Sequence, residues 1–203
     1  MPVSGVVGGA VYELPVLAAL VMPGSAGKDV LVGTRFGDQF DGLGGADQIT
    51  GGAGADTLIG GLGNDRLAGG SGVDSLSGGD GADQFVFGRV GESPGSDPDR
   101  IADFTQGSDL INLVKIDQVL VTSGASALTF VGDLAFSGSA PELRFAAAGS
   151  DTRVEVDRNG DGVADFAVIL TGNYTLTAAD FARYAGPFAP NALPVGPTGR
   201  WVG

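Results

Sequence analysis

An aspartate recurs at every ninth position over one continuous stretch of this chain. A glycine lies five residues before each aspartate and an apolar side chain lies two residues after it, so three registers stay in phase. A fixed period of this kind is typical of stacked units, each too small to bury its own apolar face. The aspartates are Asp29, Asp38, Asp47, Asp56, Asp65, Asp74 and Asp83.

Each nonapeptide divides into a turn and a very short strand. Residues 51–56, Gly-Gly-Ala-Gly-Ala-Asp, suit a turn because glycine reaches backbone angles closed to other residues. Residues 57–59, Thr-Leu-Ile, suit a strand in which Leu58 points inward and its neighbours point outward. Two nonapeptides then form one coil, with turns along both edges and a thin apolar core between two parallel sheets. The sequence therefore predicts an all-β fold built around a parallel β-roll.

The roll would stack the aspartates in two columns, because successive turns on one edge come from every second repeat. Neighbouring strands lie about 4.8 Å apart, so the carboxylates of one column would repel each other unless cations lay between them. Calcium suits such a gap, since it takes about 6–8 oxygen ligands from carboxylates and backbone carbonyls. The alternative is a flexible glycine-rich linker, but a linker does not need the phased apolar positions.

Composition excludes several classes of function. The 203 residues include no cysteine and no histidine, and 24 acidic against 11 basic residues give a net charge of −13. Disulfides, thiolate or imidazole metal sites and histidine-based catalytic triads are excluded. The acidic balance argues against nucleic acid or an anionic membrane as a partner. No nucleophile elbow, P-loop or dinucleotide fingerprint occurs, so we predict no enzyme activity.

The N-terminal region contains an apolar run, Leu14 to Met22, that is interrupted by Pro15 and is too short to span a bilayer. Because no lysine or arginine precedes Lys28, a Sec-type signal peptide is not expected. We interpret the run as a buried or pairing strand and expect no transmembrane segment.

The nonapeptides resemble the calcium-binding repeats of RTX proteins, Gly-Gly-x-Gly-x-Asp-x-apolar-x. The resemblance implies that the carbonyls of the second and fourth loop residues and the carboxylate of the sixth bind calcium, each ion being shared by two loops on one edge. Asp47 would pair with the loop Gly60 to Gly63, Asp56 with Gly69 to Gly72, and Asp65 with Gly78 to Gly81. The predicted ligands are the seven aspartates and the loop glycines Gly42, Gly44, Gly45, Gly51, Gly52, Gly54, Gly60, Gly61, Gly63, Gly69, Gly70, Gly72, Gly78, Gly79 and Gly81.

The first two repeats depart from this consensus. Ser25 and Thr34 replace the second glycine, and Phe36 replaces the fourth residue of its loop, although a carbonyl remains at every position. Sites that use Asp29 and Asp38 are therefore weaker predictions than the others.

The resemblance continues beyond the repeats. Residues 97–113, 140–145 and 152–181 are similar to serralysin-type C-terminal domains, so the likeness covers residues 24–181. Similar modules end secreted proteases and lipases and occur in alginate epimerases. We predict an N-terminal apolar segment over 1–23, the β-roll over 24–88, a β-sandwich-like C-terminal cap over 89–185 and a Pro/Gly-rich tail over 186–203.

Within the cap, alternating apolar residues in 152–156 and 166–170 predict a β-hairpin. The loop that begins at Asp157 resembles the start of an EF-hand, but Val168 stands where the bidentate glutamate would be. We favour a plain turn and keep a metal site as the alternative. Thr177 is a candidate N-cap of a short helix. Asp103 and Asp109 are interpreted as solvated turn carboxylates, with a role in the last calcium positions as the alternative.

These predictions describe a protein that folds when it binds several calcium ions. The resemblance implies export in the unfolded state by type I secretion, and hence a secreted or cell-surface location. For the folded protein we favour a structural subunit that self-assembles into a surface layer, matrix or filament. The alternatives are a polysaccharide-binding module and the calcium-dependent folding and secretion domain of a larger secreted enzyme.

Overall fold

The structure is a computed structural model that describes residues 3–7, 10–14, 18–117, 127–139 and 141–182. Within these ranges the chain forms short strands, one α-helical turn at residues 114–117 and two 3-10 turns, Val90–Glu92 and Ala178–Asp180. The strands are β1 (Val3–Val7), β2 (Ala10–Leu14), β3 (Val21–Ser25), β4 (Val30–Val32), β5 (Gln39–Leu43), β6 (Gln48–Ala53), β7 (Thr57–Leu62), β8 (Arg66–Ser71), β9 (Ser75–Asp80), β10 (Gln84–Val86), β11 (Asp99–Ile101), β12 (Leu110–Asn112), β13 (Thr129–Gly132), β14 (Glu142–Ala148), β15 (Asp151–Asp157), β16 (Phe166–Leu170) and β17 (Phe181–Ala182).

The repeat strands alternate between two parallel sheets. The first sheet has the order β17-β12-β10-β8-β6-β4-β1-β2, and the second has the order β13-β14-β15-β16-β11-β9-β7-β5-β3. Gln48 pairs with Arg66 in the first sheet and Thr57 pairs with Ser75 in the second, so neighbouring strands are two nonapeptides apart. The predicted all-β fold with a parallel β-roll is confirmed.

The core of the roll is a single file of inward side chains between the two sheets. The phased apolar residue of every repeat is at most 2% exposed. Full burial of one such side chain contributes about 1.5–3 kcal/mol relative to exposure, and the file continues into the cap through Ile101 and Ile111. The file consists of Leu31, Phe40, Ile49, Leu58, Leu67, Leu76 and Phe85.

The cap extends the same two sheets. β11 pairs in parallel with β9 on one side and with β16 on the other, and β14, β15 and β16 follow one another as antiparallel neighbours. The predicted hairpin is thus β15–β16. The cap has two layers, like a sandwich, and both layers are continuous with the sheets of the roll. Thr177 caps the turn Ala178–Asp180 as expected, since its side chain accepts the N–H of Ala179.

The N-terminal segment supplies three strands. β1 and β2 form an antiparallel hairpin that meets β4 through the pair Val6 and Val30, and β3 pairs in parallel with β5. The predicted tail over 186–203 lies outside the described residues. No helix within the described ranges is long and apolar enough to cross a membrane.

Candidate metal sites

The loops of the roll use backbone angles that favour glycine. Gly61 and Gly63, the second and fourth residues of a typical loop, have φ values of 104° and 122°. A Cβ placed on Gly63 would overlap the carbonyl oxygen of Gly45 in the adjacent coil. The glycines at these two positions are therefore required both by the turn and by the close stacking of the loops.

One loop departs from the glycine pattern. Leu43 has a φ of 66°, and it occupies the second position when the loop is counted back from Asp47. Gly44, which we predicted as a ligand, occupies the third position. The carbonyl of Leu43 therefore takes the place that Gly61 fills in the next loop on the same edge. Counting back from Asp47, instead of forward from the pair Gly44 and Gly45, identifies Leu43 as the second loop residue in the sequence.

The predicted columns of aspartates are present. In each column, the backbone N–H of an aspartate donates to Oδ1 of the aspartate one coil further on. The N–H of Asp47 lies 2.8 Å from Oδ1 of Asp65, and the N–H of Asp65 lies 2.8 Å from Oδ1 of Asp83. The same contact joins Asp56 to Asp74 at 2.8 Å in the other column.

Both columns continue into the cap through aspartates that lie outside the nine-residue period. The N–H of Asp74 donates to Oδ1 of Asp99 at 2.9 Å, and the N–H of Asp83 donates to Oδ1 of Asp109 at 3.0 Å. Asp99 and Asp109 are buried. The interpretation of Asp109 as a solvated turn carboxylate is therefore wrong. The sequence gives no periodic signal for Asp99, because the chain between β10 and β11 is longer than a repeat loop.

Asp103 has a separate role at the end of the last complete loop. Its carboxylate accepts the N–H groups of Gly78 and Gly79 at 2.9 and 3.0 Å and the hydroxyl of Ser77 at 2.6 Å. β11 ends before it could pair with these groups. Asp103 thus satisfies backbone donors of the last loop, and it too is not a solvated turn group.

In six of the column aspartates, the second carboxylate oxygen lacks a donor among the described residues. Six Oδ2 atoms are buried and accept no hydrogen bond from any described residue. A buried polar atom without a partner is costly, so these oxygens indicate a ligand. They belong to Asp47, Asp56, Asp65, Asp74, Asp83 and Asp99.

These oxygens face backbone carbonyls across a small gap beside glycine. A Cβ on Gly60 would overlap Oδ2 of Asp65 and would lie 2.6 Å from the carbonyl oxygen of Gly78. Carboxylate and carbonyl oxygens from two successive coils therefore converge beside Gly60. The loops that begin at Gly42 and Gly51 have the same arrangement.

Burial makes the charged form of these carboxylates unfavourable. It raises the pKa of Asp56 and Asp83 to about 6 and that of Asp99 to about 8, and hydrogen bonds from backbone N–H groups oppose the shift. Neighbouring column carboxylates raise these pKa values further. The pKa of Asp47, Asp65, Asp74 and Asp109 is also raised, chiefly by burial. A bound cation would offset this cost at neutral pH.

The donor set fits calcium. Among the described residues, no three or more acidic side chains are grouped so that they could enclose a metal ion. An ion would therefore depend on one carboxylate together with carbonyls of the next loop. All of these donors are oxygens, as calcium prefers, and the nitrogen and sulfur ligands typical of zinc are absent from the sequence.

The EF-hand-like loop has a different character. The carboxylate of Asp157 accepts the N–H groups of Gly160 and Gly162, each at 2.7 Å, and Asp165 accepts the N–H of Arg158 at 2.9 Å. These carboxylates are used by the backbone of their own loop. The contacts support the plain turn that we favoured.

The fold and the loops together define a class: this is a parallel β-roll of RTX nonapeptide repeats. Residues 24–182 match the family model described as Peptidase M10 serralysin C terminal. The chain belongs to this family, and the resemblance drawn from the repeats is confirmed.

Two metalloproteases are similar to part of the chain. Metallopeptidase AprA of Pseudomonas marginalis is 44% identical over 90 residues, which are 43% of this chain and 17% of that protein. Metalloprotease AprA of Pseudomonas entomophila (strain L48) is 39% identical over 95 residues, which are 46% of this chain and 19% of that protein. The matched region thus spans less than a fifth of either protease.

Two solution structures of subunits of the Azotobacter vinelandii mannuronan C5-epimerase are also similar. One is 28% identical, covers 93% of this chain and 92% of its own, and has a TM-score of 0.43. The other is 26% identical, covers 84% of this chain and 94% of its own, and has a TM-score of 0.42.

Proposed function

We propose that this chain is a calcium-binding module that folds when it meets extracellular calcium. The observation that carries the proposal is the set of six buried Oδ2 atoms that have no donor among the described residues. They lie in two columns next to backbone carbonyls, where a hard cation would be bound. Membership of the serralysin C-terminal family supports calcium as that cation.

Binding and folding would be coupled. Without an ion, each column brings carboxylates together in a buried environment, and the glycines favour the unfolded chain. With an ion in place, binding free energy becomes folding free energy. A site at tenfold its Kd contributes about 1.4 kcal/mol, so several sites together can fold a roll that is unstable without them. Extracellular modules have Kd values of about 10⁻⁴ to 10⁻³ M.

We also propose that the chain is exported by type I secretion and acts outside the cell. The support is its membership of a family that forms the C-terminal part of serralysin-type proteins. Within residues 24–182 we propose no catalytic role, because the buried aspartates are accounted for by the columns. A folding and secretion module of a larger enzyme agrees with these observations.

Self-assembly into a layer, matrix or filament is a second hypothesis with one supporting observation. β3 is the last strand of the second sheet, and Val21 on it is 75% exposed. Pro23 in the same strand has no N–H to donate, which limits pairing along this edge. Sedimentation in saturating calcium tests the hypothesis, and a protein that stays monomeric over a wide concentration range would rule it out.

Binding of a neutral or acidic polysaccharide is a third hypothesis. The negative net charge disfavours an acidic polymer unless calcium bridges the two. Retardation in gels that contain polysaccharide, with and without calcium, tests it. Equal mobility in all gels would exclude this role.

The folding proposal is tested by a calcium titration followed by far-ultraviolet circular dichroism. We expect β signal to rise with calcium, and Asp65→Asn to shift the midpoint to higher concentration. Asp97→Asn is the matched control, because Asp97 is exposed and its carboxylate contacts the Ser96 hydroxyl outside the columns. A full β spectrum in chelator would contradict the proposal.

A further inference from the structure

The loops of the roll fall into two classes according to the second residue of the loop. In three loops the N–H of this residue donates to Oδ2 of the aspartate in the same loop. The N–H of Ser25 lies 2.5 Å from Oδ2 of Asp29, and the N–H of Thr34 lies 2.5 Å from Oδ2 of Asp38. The third is Thr105, whose N–H lies 2.8 Å from Oδ2 of Asp109.

The hydroxyl groups strengthen this closure in the two N-terminal loops. Oγ of Ser25 donates to Oδ1 of Asp29 at 3.2 Å, and Oγ1 of Thr34 donates to Oδ1 of Asp38 at 3.3 Å. Both oxygens of each carboxylate therefore have a donor inside the loop. We define the loops of Asp29, Asp38 and Asp109 as the closed loops.

Five other loops leave the same oxygen without a donor. Their second residue has a positive φ, and Oδ2 of their aspartate is among the atoms that accept no hydrogen bond from described residues. The N–H of Leu43 donates instead to Oδ1 of Asp41, and that of Gly79 donates to Oδ2 of Asp103. We define these as the open loops. Their second residues are Leu43 (66°), Gly52 (113°), Gly61 (104°), Gly70 (104°) and Gly79 (92°).

Leu43 shows that the backbone angle, and not the absence of a side chain, separates the two classes. A leucine rarely adopts a positive φ, yet Oδ2 of Asp47 in its loop has no donor among the described residues, as in the glycine loops. Ser25, Thr34 and Thr105 do not have a positive φ, and their N–H groups point at the carboxylate.

We propose that the second loop residue decides whether a repeat takes calcium. Resting on the proposed function, this inference assigns ions to the open loops and none to the carboxylates of Asp29, Asp38 and Asp109. A backbone N–H and, in two loops, a hydroxyl take the place of the cation.

The closed loops stand at the ends of the columns. Asp29 and Asp38 begin the two columns, and Asp109 ends one of them. Terminal units of a repeat protein must be stable with a neighbour on one side only, and a carboxylate that is satisfied within its own loop needs no partner coil to complete an ion site. Ion-independent loops would thus bracket an ion-dependent interior in the column from Asp29 to Asp109. The other column begins with the closed loop of Asp38 and ends at Asp99, whose Oδ2 has no donor among the described residues.

Calcium bound per chain at saturation tests the inference, measured by equilibrium dialysis and metal analysis on the full chain. We expect Asp65→Asn to lose one ion and Asp29→Asn to lose none. We expect Ser25→Gly and Thr34→Gly each to gain one ion, because glycine permits the positive φ of the open loops. Ala26→Gly, at the third position of the same loop, is the matched control and should leave the number unchanged.

Three results would overturn the inference. Loss of one ion in both Asp29→Asn and Asp65→Asn would show that closed loops bind calcium. An unchanged number of calcium ions in Ser25→Gly and Thr34→Gly would show that the second loop residue does not determine whether a loop binds calcium. These glycine variants remain informative if Asp29→Asn fails to fold. A parent chain that binds no calcium would overturn the proposed function as well, so the two failures are distinguishable.

Discussion

The roll and the cap both bury carboxylates, but they satisfy them differently. In the cap, Glu155 accepts from Arg144 and from Arg153, each at 2.8 Å, and Asp180 accepts the N–H of Thr177 at 2.7 Å. In the interior of the roll, Oδ2 of Asp65 accepts from no described residue. The comparison shows that protein donors satisfy Glu155 and Asp180 of the cap, whereas the column aspartates keep buried oxygens for which the proposed function supplies a cation.

The apolar cores of the roll and the cap also differ in how much packing they provide. The cap contains packed aromatic rings, including an edge-on pair of Phe104 and Tyr174 with centroids 5.6 Å apart. Its Phe166 also packs edge-on against Phe87 at the end of the roll, at 5.0 Å. The roll contributes one apolar side chain per repeat. The roll therefore has less packing to compensate for ordering its glycines.

The largest expected difference between the two regions comes from matched glycine substitutions. Gly63→Ala should destabilise the roll by about 3 kcal/mol or more, because the new Cβ overlaps the Gly45 carbonyl and the residue needs a positive φ. Gly149→Ala in the cap also has a positive φ, but its Cβ meets no described atom within 4 Å. We expect a cost of about 1 kcal/mol there.

Thermal unfolding in saturating calcium measures both variants. For a chain of this size, about 1 kcal/mol corresponds to about 2–4 °C in Tm. Equal losses in Gly63→Ala and Gly149→Ala would contradict the close stacking of the loops.

A second pair of variants separates ion-dependent from ion-independent stability. Glu155→Gln leaves Arg144 and Arg153 without their carboxylate partner and should cost about 1–2 kcal/mol with or without calcium. Asp65→Asn removes a column charge while it keeps Oδ1, and should cost about 1.4 kcal/mol when calcium is at tenfold the Kd of the site. We expect no such loss in chelator.

Urea titrations with calcium and with chelator give the free energy of unfolding of both variants under each condition. If Asp65→Asn were equally destabilising in both conditions, its carboxylate would be acting through protein contacts and not through an ion.

A smaller effect is expected from pH in calcium-free buffer. The pKa values of Asp56 and Asp83 rise from 3.8 to about 6, and that of Asp99 to about 8. A carboxyl group with a raised pKa in the folded state stabilises that state below its unfolded pKa, and the contribution disappears as pH rises through the folded value. Residual roll structure should therefore be greatest near pH 4 and decline towards pH 8.

Asp151 in the cap contributes to stability with the opposite pH dependence. A hydrogen bond from Arg100 lowers the pKa of Asp151, so its contribution is present at neutral pH and is lost on acidification. Circular dichroism melts between pH 4 and 8, in buffer stripped of calcium, measure the net direction. A roll signal that grows with pH would contradict the burial of uncompensated carboxylates.

Much of the fold follows from the period. Nine residues with a fixed aspartate and a fixed apolar position predict coils, columns and core, and the family resemblance predicts the cap. The contributions of Asp99 and Asp103 could not be predicted, because the longer connection before β11 breaks the period and only the three-dimensional structure shows which carboxylate continues the column.

The loops show a second limit of the sequence. The repeat consensus points to Gly44, whereas counting back from Asp47 gives Leu43 as the second loop residue. Only the structure shows the unusual backbone angle of Leu43. Likewise, Ser25 and Thr34 read as weakened copies of glycine in a one-dimensional pattern. Their role as donors to Asp29 and Asp38 depends on a peptide orientation that the consensus does not encode.

Hydrogen exchange of the full chain, with calcium and with chelator, measures the ion dependence of the roll and of the cap in one experiment. We predict that backbone amides of β6 to β10 lose their protection in chelator, while those of β14, β15 and β16 stay protected in both conditions. Equal protection of the roll strands with and without calcium would contradict it.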